Sequence, residues 1–301
     1  LRDDLLAESP AVAAAAALLE ELQRGADAST GLVFRVAAKG NLAAWPTWRT
    51  WLLDVIGQVD PTAAAAHSAD VYARRNSPDE WSLAMRNEWR GFDPAKRATV
   101  VRERARQLIS AADWAQRPSI GFLEGVDAAV VTLAWDLVPQ FETWLGPDSS
   151  PELRQAGWIA LEKLALENPS DLLPALAANT SWLSTQPLLR ASLMARADIG
   201  DARQRLTVET YLARSDLAAA EAEKFFSLYP NVNAPVAHTL MSTLRTPSLA
   251  EIAHRDRVAL TQVRAWRSQP EYARWSADLA TADTRLTESV AAAVRGGILS
   301  P

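Results

Sequence analysis

Apolar residues recur along most of the chain at intervals of three and four, the period of a helix that buries one face. In Leu42 to Val59 the positions Trp45, Trp48, Leu52, Val55, Ile56 and Val59 share a stripe, with Arg49 and Asp54 off it, so the spacing predicts one helix. Trp81, Met85 and Trp89 stand four apart in the next strong helix and form a ridge that a neighbouring helix can receive. The nearest thing to a strand, Gly31 to Val36, is short, leads into alanines and reads as a helix turn.

Caps and prolines mark where the helices begin. Ser77-Pro78-Asp79-Glu80 has the cap, the proline at the first helical position and the acid three residues on, which spells a capping box. Asp60-Pro61, Asp93-Pro94, Ser150-Pro151 and Thr246-Pro247 follow the same logic, and Asp216 does so without a proline. The segment from Ser248 to Gln269 predicts a longer helix with its own Ser248-to-Glu251 box. Pro270 opens a second, running through Trp275, Leu279, Leu286, Val290 and Val294 to Gly296-Gly297. Many short amphipathic helices, each needing a partner, define an all-α chain, either an array or a bundle.

An internal echo separates those two. Pro151-Glu152-Leu153-Arg154-Gln155-Ala156 returns 36 residues later as Pro187-Leu188-Leu189-Arg190-Ala191-Ser192, with Leu172-Leu173-Pro174-Ala175-Leu176 between them, read as a helix with proline in its first turn. Asp201-Ala202-Arg203 and Asp216 to Ala220 continue the rhythm. Over about residues 150 to 230 this order resembles the HEAT repeat, although an aspartate before the second helix is replaced by Ser150 and Gln186. The resemblance implies a right-handed α-solenoid-like array of antiparallel helix pairs and no particular activity. The expected organisation is an array over residues 1–247 and a helical hairpin over 248–301 packed on it as a cap; a non-repetitive bundle is the alternative.

Composition narrows the chemistry. The 301 residues contain no cysteine, which removes disulfides, thiolate metal sites, cysteine nucleophiles and iron–sulfur clusters. Only 12 glycines are present, and neither dinucleotide nor P-loop spacing occurs, so no nucleotide cofactor is expected. The balance of 31 basic against 36 acidic residues gives a net charge of −5, which does not favour nucleic acid as a partner. No stretch has the length and apolarity of a membrane span. Residue 1 is Leu, so an upstream signal or anchor would not be visible, and the compartment, bacterial cytoplasm or periplasm, stays open.

Catalytic signatures are sparse. There are three histidines; Glu251 and His254 have the Glu-x-x-His spacing of a metal ligand pair, yet His67 and His238 lack a second one, so the pair reads as a solvated helix face and no metal is expected. The serine-hydrolase elbow is missing. Asn179-Thr180-Ser181 fits the glycosylation pattern, which matters only in a eukaryotic secretory setting. Ten of the 12 tryptophans lie between Trp45 and Trp182. Tryptophan-rich all-helical chains resemble the α/α-toroid sugar-active enzymes, whose clefts stack sugars on indoles; against this, Trp45, Trp48, Trp81 and Trp89 sit on apolar stripes where large rings are usually core.

One charged stretch stands out. Arg86, Arg90, Lys96, Arg97, Arg102, Arg104 and Arg106 outnumber Glu88, Asp93 and Glu103, and of these Arg86, Arg90, Lys96, Arg97, Arg102 and Arg106 could form an anion or partner-binding patch. On a HEAT-like frame this is similar to the helical-repeat DNA glycosylases, which pair basic with aromatic residues, although a basic run is more often a solvated face. The expectation is a non-enzymatic helical-repeat scaffold or adaptor binding a protein or peptide. An all-α enzyme with a tryptophan-lined cleft for polysaccharide, or a HEAT-like DNA-base glycosylase, is the alternative.

Overall fold

A computed structural model describes residues 11–178, 186–233, 239–243 and 246–300. Two compact units divide the chain, Leu1–Ala160 with Val236–Leu244, and Leu161–Pro235 with Arg245–Pro301. The described residues are helical apart from one two-stranded ribbon, so the chain is all-α. His238, Trp182 and the Asn179-Thr180-Ser181 sequon lie outside the described residues.

The first unit begins with α1 (Ala11–Arg24), a ribbon of β1 (Arg35–Val36) and β2 (Leu42–Ala44), then α2 (Trp48–Val59), α3 (Pro61–Arg74), α4 (Pro78–Gly91) and α5 (Pro94–Ile109). The ribbon corrects two sequence expectations: Gly31 to Val36 is no helix turn, and the helix expected from Leu42 starts six residues later. The strands are antiparallel, with Arg35 opposite Ala44 and Val36 opposite Leu42. The physical reason lies at Thr47 and Thr50. The Thr47 hydroxyl accepts from the Thr50 backbone N–H, and the Thr50 hydroxyl accepts from the Thr47 backbone N–H at 3.0 Å, a reciprocal cap that starts the helix only at Trp48. Upstream, the extended chain is tied back by Asp54, which accepts from Leu42 N and from Trp45 Nε1 at 2.9 Å.

α4 is the axis of this unit, packed against α2, α3, α5 and the short α7 (Ile120–Gly125). Every residue from Glu80 to Glu88 is buried, so the polar positions of the helix must find partners inside the protein. Glu80 takes Arg49, Arg86 takes Asp54, Asn87 Nδ2 donates to Leu53 O at 3.0 Å, and Tyr72 Oη donates to Glu88 at 2.8 Å. This overturns two further expectations. Arg49 and Asp54, placed off the apolar stripe, are buried as ion-pair partners. The Ser77 hydroxyl does cap Glu80 N, but the Glu80 carboxylate does not return to the cap, because Arg49 holds it. The α3–α4 crossing is close enough that a Cβ at Gly91 would meet Pro61 O at 2.0 Å. Asp60 and Asp93 cap α3 and α5 as their sequences indicate.

The remaining short helices are α6 (Ala112–Gln116), α8 (Asp127–Val131) and α9 (Val138–Trp144), and α10 (Pro151–Glu167) spans the chain boundary between the units. Residues 239–243 return to this unit, where Asp127 accepts from Met241 N at 2.7 Å and Ser242 N at 2.6 Å.

The second unit holds α11 (Pro169–Ala178), α12 (Pro187–Met194), α13 (Ala202–Ala213), α14 (Ala219–Leu228), α15 (Leu249–Arg267), a 3₁₀ turn at Pro270–Trp275 and α16 (Ser276–Arg295). α11 packs on α13, α12 on α14, and α14 on α16, while α15 packs along α16, which starts at Ser276 because Pro270 opens only the 3₁₀ turn. The core between them is aromatic, with Tyr229 in ring contact with both Phe225 and Trp266. Three other helix starts differ from the sequence reading. Asp216 pairs with Arg214, and α14 opens later, at Ala219. Thr246 is not a cap; Ser248 is, in the reciprocal arrangement with Glu251. Pro174 lies inside α11, which starts at Pro169.

Candidate functional site

In the first unit the carbonyl end of α5, α6, α9 and the first turn of α10 enclose an open cleft of about 650 Å³. Its floor is apolar: Ile109, Ala112, Ala115, Trp144 and Leu153. Its polar groups are Ser110, Gln116, Gln140, Asp148, Ser149 and Ser150, so among these lining residues Asp148 carries the one formal charge. The volume falls in the range of ligand pockets, and hydroxyls and carboxamides on an apolar floor supply both donors and acceptors.

The walls are set by local chemistry. Trp144 is buried and held in place by Phe122 and Phe141, with ring centroids 6.0 and 5.6 Å away. The loop from Pro147 to Ser150 is braced from α10 by the Arg154 guanidinium, which donates to the carbonyls of Ser149 and Pro147. The Ser150 hydroxyl accepts from Leu153 N at 3.3 Å, the helix start foreseen at Ser150-Pro151. Glu152 turns onto its own backbone N–H and the Ser150 hydroxyl, and these hydrogen bonds hold its carboxyl below the usual range. Asp148 is exposed, and among the described residues no hydrogen bond or ion pair engages its carboxylate.

The basic residues singled out in the sequence are distributed among separate partners. Arg86 is fully buried and belongs to the core: it donates to Asp54 Oδ1, to Gly40 O at 3.0 Å and to Asn87 Oδ1 at 2.9 Å. It is therefore not a surface group. Arg90 reaches Asn41 Oδ1 at 3.0 Å and the Lys39 carbonyl; burial, with Arg86 nearby, brings its pKa down to about 10. Lys96 lies over the Phe92 ring and Arg97 over Trp89, at 4.3 and 4.4 Å. Arg102 donates to the carbonyls of Thr132 and Leu133, and Arg106 is shared between Glu103 and Asp136. Arg104 covers the Tyr72 ring at 4.2 Å.

The other candidates resolve similarly. Glu251 is committed to its helix cap, accepting from Ser248 N at 2.8 Å, and His254 is exposed. Among the described residues no group of three or more His, Asp or Glu is arranged to hold a metal ion, and no helix is long and apolar enough to cross a membrane. Of the stripe tryptophans, Trp81 is buried, whereas Trp45, Trp48 and Trp89 are half-buried; Trp48 stacks on Trp51 at 4.6 Å. The cleft residues were not foreseen. The only signal for them was Pro147-Asp148-Ser149-Ser150-Pro151, a loop with turn chemistry whose last two residues read simply as a helix start. Comparison with protein-family models, curated proteins and solved structures finds no match.

Proposed function

We propose that the chain is a non-enzymatic helical-repeat scaffold, a right-handed α-solenoid-like array of antiparallel helix pairs capped by the α15–α16 hairpin, which takes a peptide segment of a protein partner into the cleft at α5, α6, α9 and α10. The array reading is supported by packing between alternate helices in the second unit, α11 with α13 and α12 with α14, the neighbour pattern that stacked helix pairs produce. The single observation that carries the binding reading is the cleft lining. Hydroxyl and carboxamide groups from Ser110, Gln116, Gln140, Ser149 and Ser150 over an apolar floor match the alternating donors, acceptors and side chains of an extended peptide.

The test is selection of a displayed random peptide library on the full chain, with Ala112→Trp as a control. Ala112 is exposed and lines the cleft, so an indole there fills the cleft without entering the core. Peptides that bind the parent chain and lose binding in the filled variant support the reading. Oligosaccharide ligands with the same dependence, in place of peptides, would replace it by the sugar-cleft alternative. Ligands indifferent to Ala112→Trp would remove the cleft from the account.

A further inference from the structure

Among the residues that line the cleft the formal charge is one-sided, and this says which side chain of a peptide it takes. The carboxylate of Asp148 is exposed on the rim with no described residue engaging it. The carbonyl end of α5, a helix of 16 residues, closes the cleft at Ile109 and Ser110, and a helix C-terminus carries partial negative charge. The opposite pole, the N-terminus of α10, is already answered from within the chain by the Ser150 hydroxyl and by the Glu152 carboxylate folded onto it. The Arg154 guanidinium of α10 is spent on the loop carbonyls and does not line the cleft.

Resting on the cleft reading above, we infer that the cleft recognises a basic residue of its partner, with the aliphatic stem of an arginine or lysine laid on the apolar floor and the cationic head at Asp148. Gln116 and Gln140 also line the cleft, and a carboxamide oxygen is an acceptor available to such a head. Long basic side chains suit this division, because the stem is apolar and the charge sits at the tip. An acidic side chain would meet Asp148 and the α5 carbonyls as like charges.

The test uses four labelled nonapeptides of glycine and serine, each with one central residue, Arg, Lys, Gln or Glu, and fluorescence anisotropy on the full chain. The Arg or Lys peptide is expected to bind tightest, to weaken with added salt, and to be lost in Ala112→Trp. Asp148→Asn is expected to weaken it about twofold to fivefold, the upper part of the range of an ion pair near a protein surface. Gln or Glu peptides that bind as tightly as the Arg and Lys peptides, an unchanged affinity in Asp148→Asn, or no binding by any of the four overturns the inference. The broader reading is judged separately: library peptides that need an open cleft but show no basic position leave it standing while the basic preference falls. Library peptides that ignore Ala112→Trp overturn both.

Discussion

Arg49 on α2 and Glu80 on α4, 31 positions apart in sequence, are joined by three N–H···O contacts at 3.1 to 3.2 Å, with side chains only 2% and 3% exposed. A buried pair of this kind is costly to break from one side, because the survivor keeps its charge without water or partner. Arg49→Met or Glu80→Leu alone is therefore expected to lower the unfolding free energy by about 3 to 5 kcal/mol. The double replacement by apolar residues of similar volume should recover much of the loss. Urea unfolding of the four proteins in a mutant cycle checks it; additive losses would show that the two charges are not coupled.

The α3–α4 crossing makes a second, purely steric prediction. A Cβ at Gly91 would lie 2.0 Å from Pro61 O and 2.8 Å from Ala65 Cβ, and the obstacle is largely backbone, which cannot swing away. Gly91→Ala should destabilise by about 2 kcal/mol or more through overpacking, even though alanine is the better helix former by about 1 kcal/mol. Gly31 is the contrast. Nothing lies within 4 Å of its Cβ position, but its φ is +75°, so Gly31→Ala should cost about 1 kcal/mol through the backbone alone. Thermal melting of both variants separates the two mechanisms.

These relations also show what the sequence could convey. The capped starts at Pro61, Pro78 and Pro94 were legible because a cap acts over three residues. So was the reciprocal box of Ser248 and Glu251 that starts α15. Arg49, Asp54, Glu80 and Arg86 were misread because helical periodicity registers polarity and not pairing, and each is buried only by virtue of a partner more than 30 residues away. The ribbon at Arg35 and Leu42 was missed because two short strands carry no period, and the Thr47–Thr50 cap that ends the extended segment lacks the usual acid. The cleft was illegible for a similar reason: its lining comes from four helices and a loop, each with ordinary local sequence.

Asp127 holds the stretch 239–243 against the first unit, accepting from the adjacent backbone N–H groups of Met241 and Ser242 with a single carboxylate oxygen. Hydrogen bonds to an ionised acceptor are about twice as strong as neutral ones. Asp127→Ala is expected to raise amide exchange at Met241 and Ser242 and to make this stretch more sensitive to limited proteolysis. The exchange of the α4 core should change far less. Unaltered protection at both amides would show that the stretch is held by other contacts.

Glu88 predicts how stability changes with pH. Its carboxyl is buried on α4 between Tyr72, which donates a hydrogen bond at 2.8 Å, and the positive charges of Arg104 and Lys96; burial outweighs these and pushes its pKa up to about 7. Below the ordinary value of 4.5 the group is protonated in the folded and unfolded chains alike. Between 4.5 and about 7 the unfolded chain releases its proton first, so stability falls as pH rises, and above about 7 the folded chain carries a buried charge. The gap corresponds to about 3 kcal/mol at most. His67 works in the other direction: burial lowers its pKa, so the folded chain resists protonation and loses stability as pH drops through 6.5. Glu88→Gln keeps an acceptor for the Tyr72 hydroxyl and removes only the titration. The variant should exceed the parent by about 1 kcal/mol or less near pH 5 and by up to about 3 kcal/mol at pH 8.5, while both keep the fall on the acid side that His67 causes. Urea midpoints between pH 5 and 8.5 read the difference directly. A constant offset between the two proteins across that range would mean that Glu88 is ionised in the folded chain throughout.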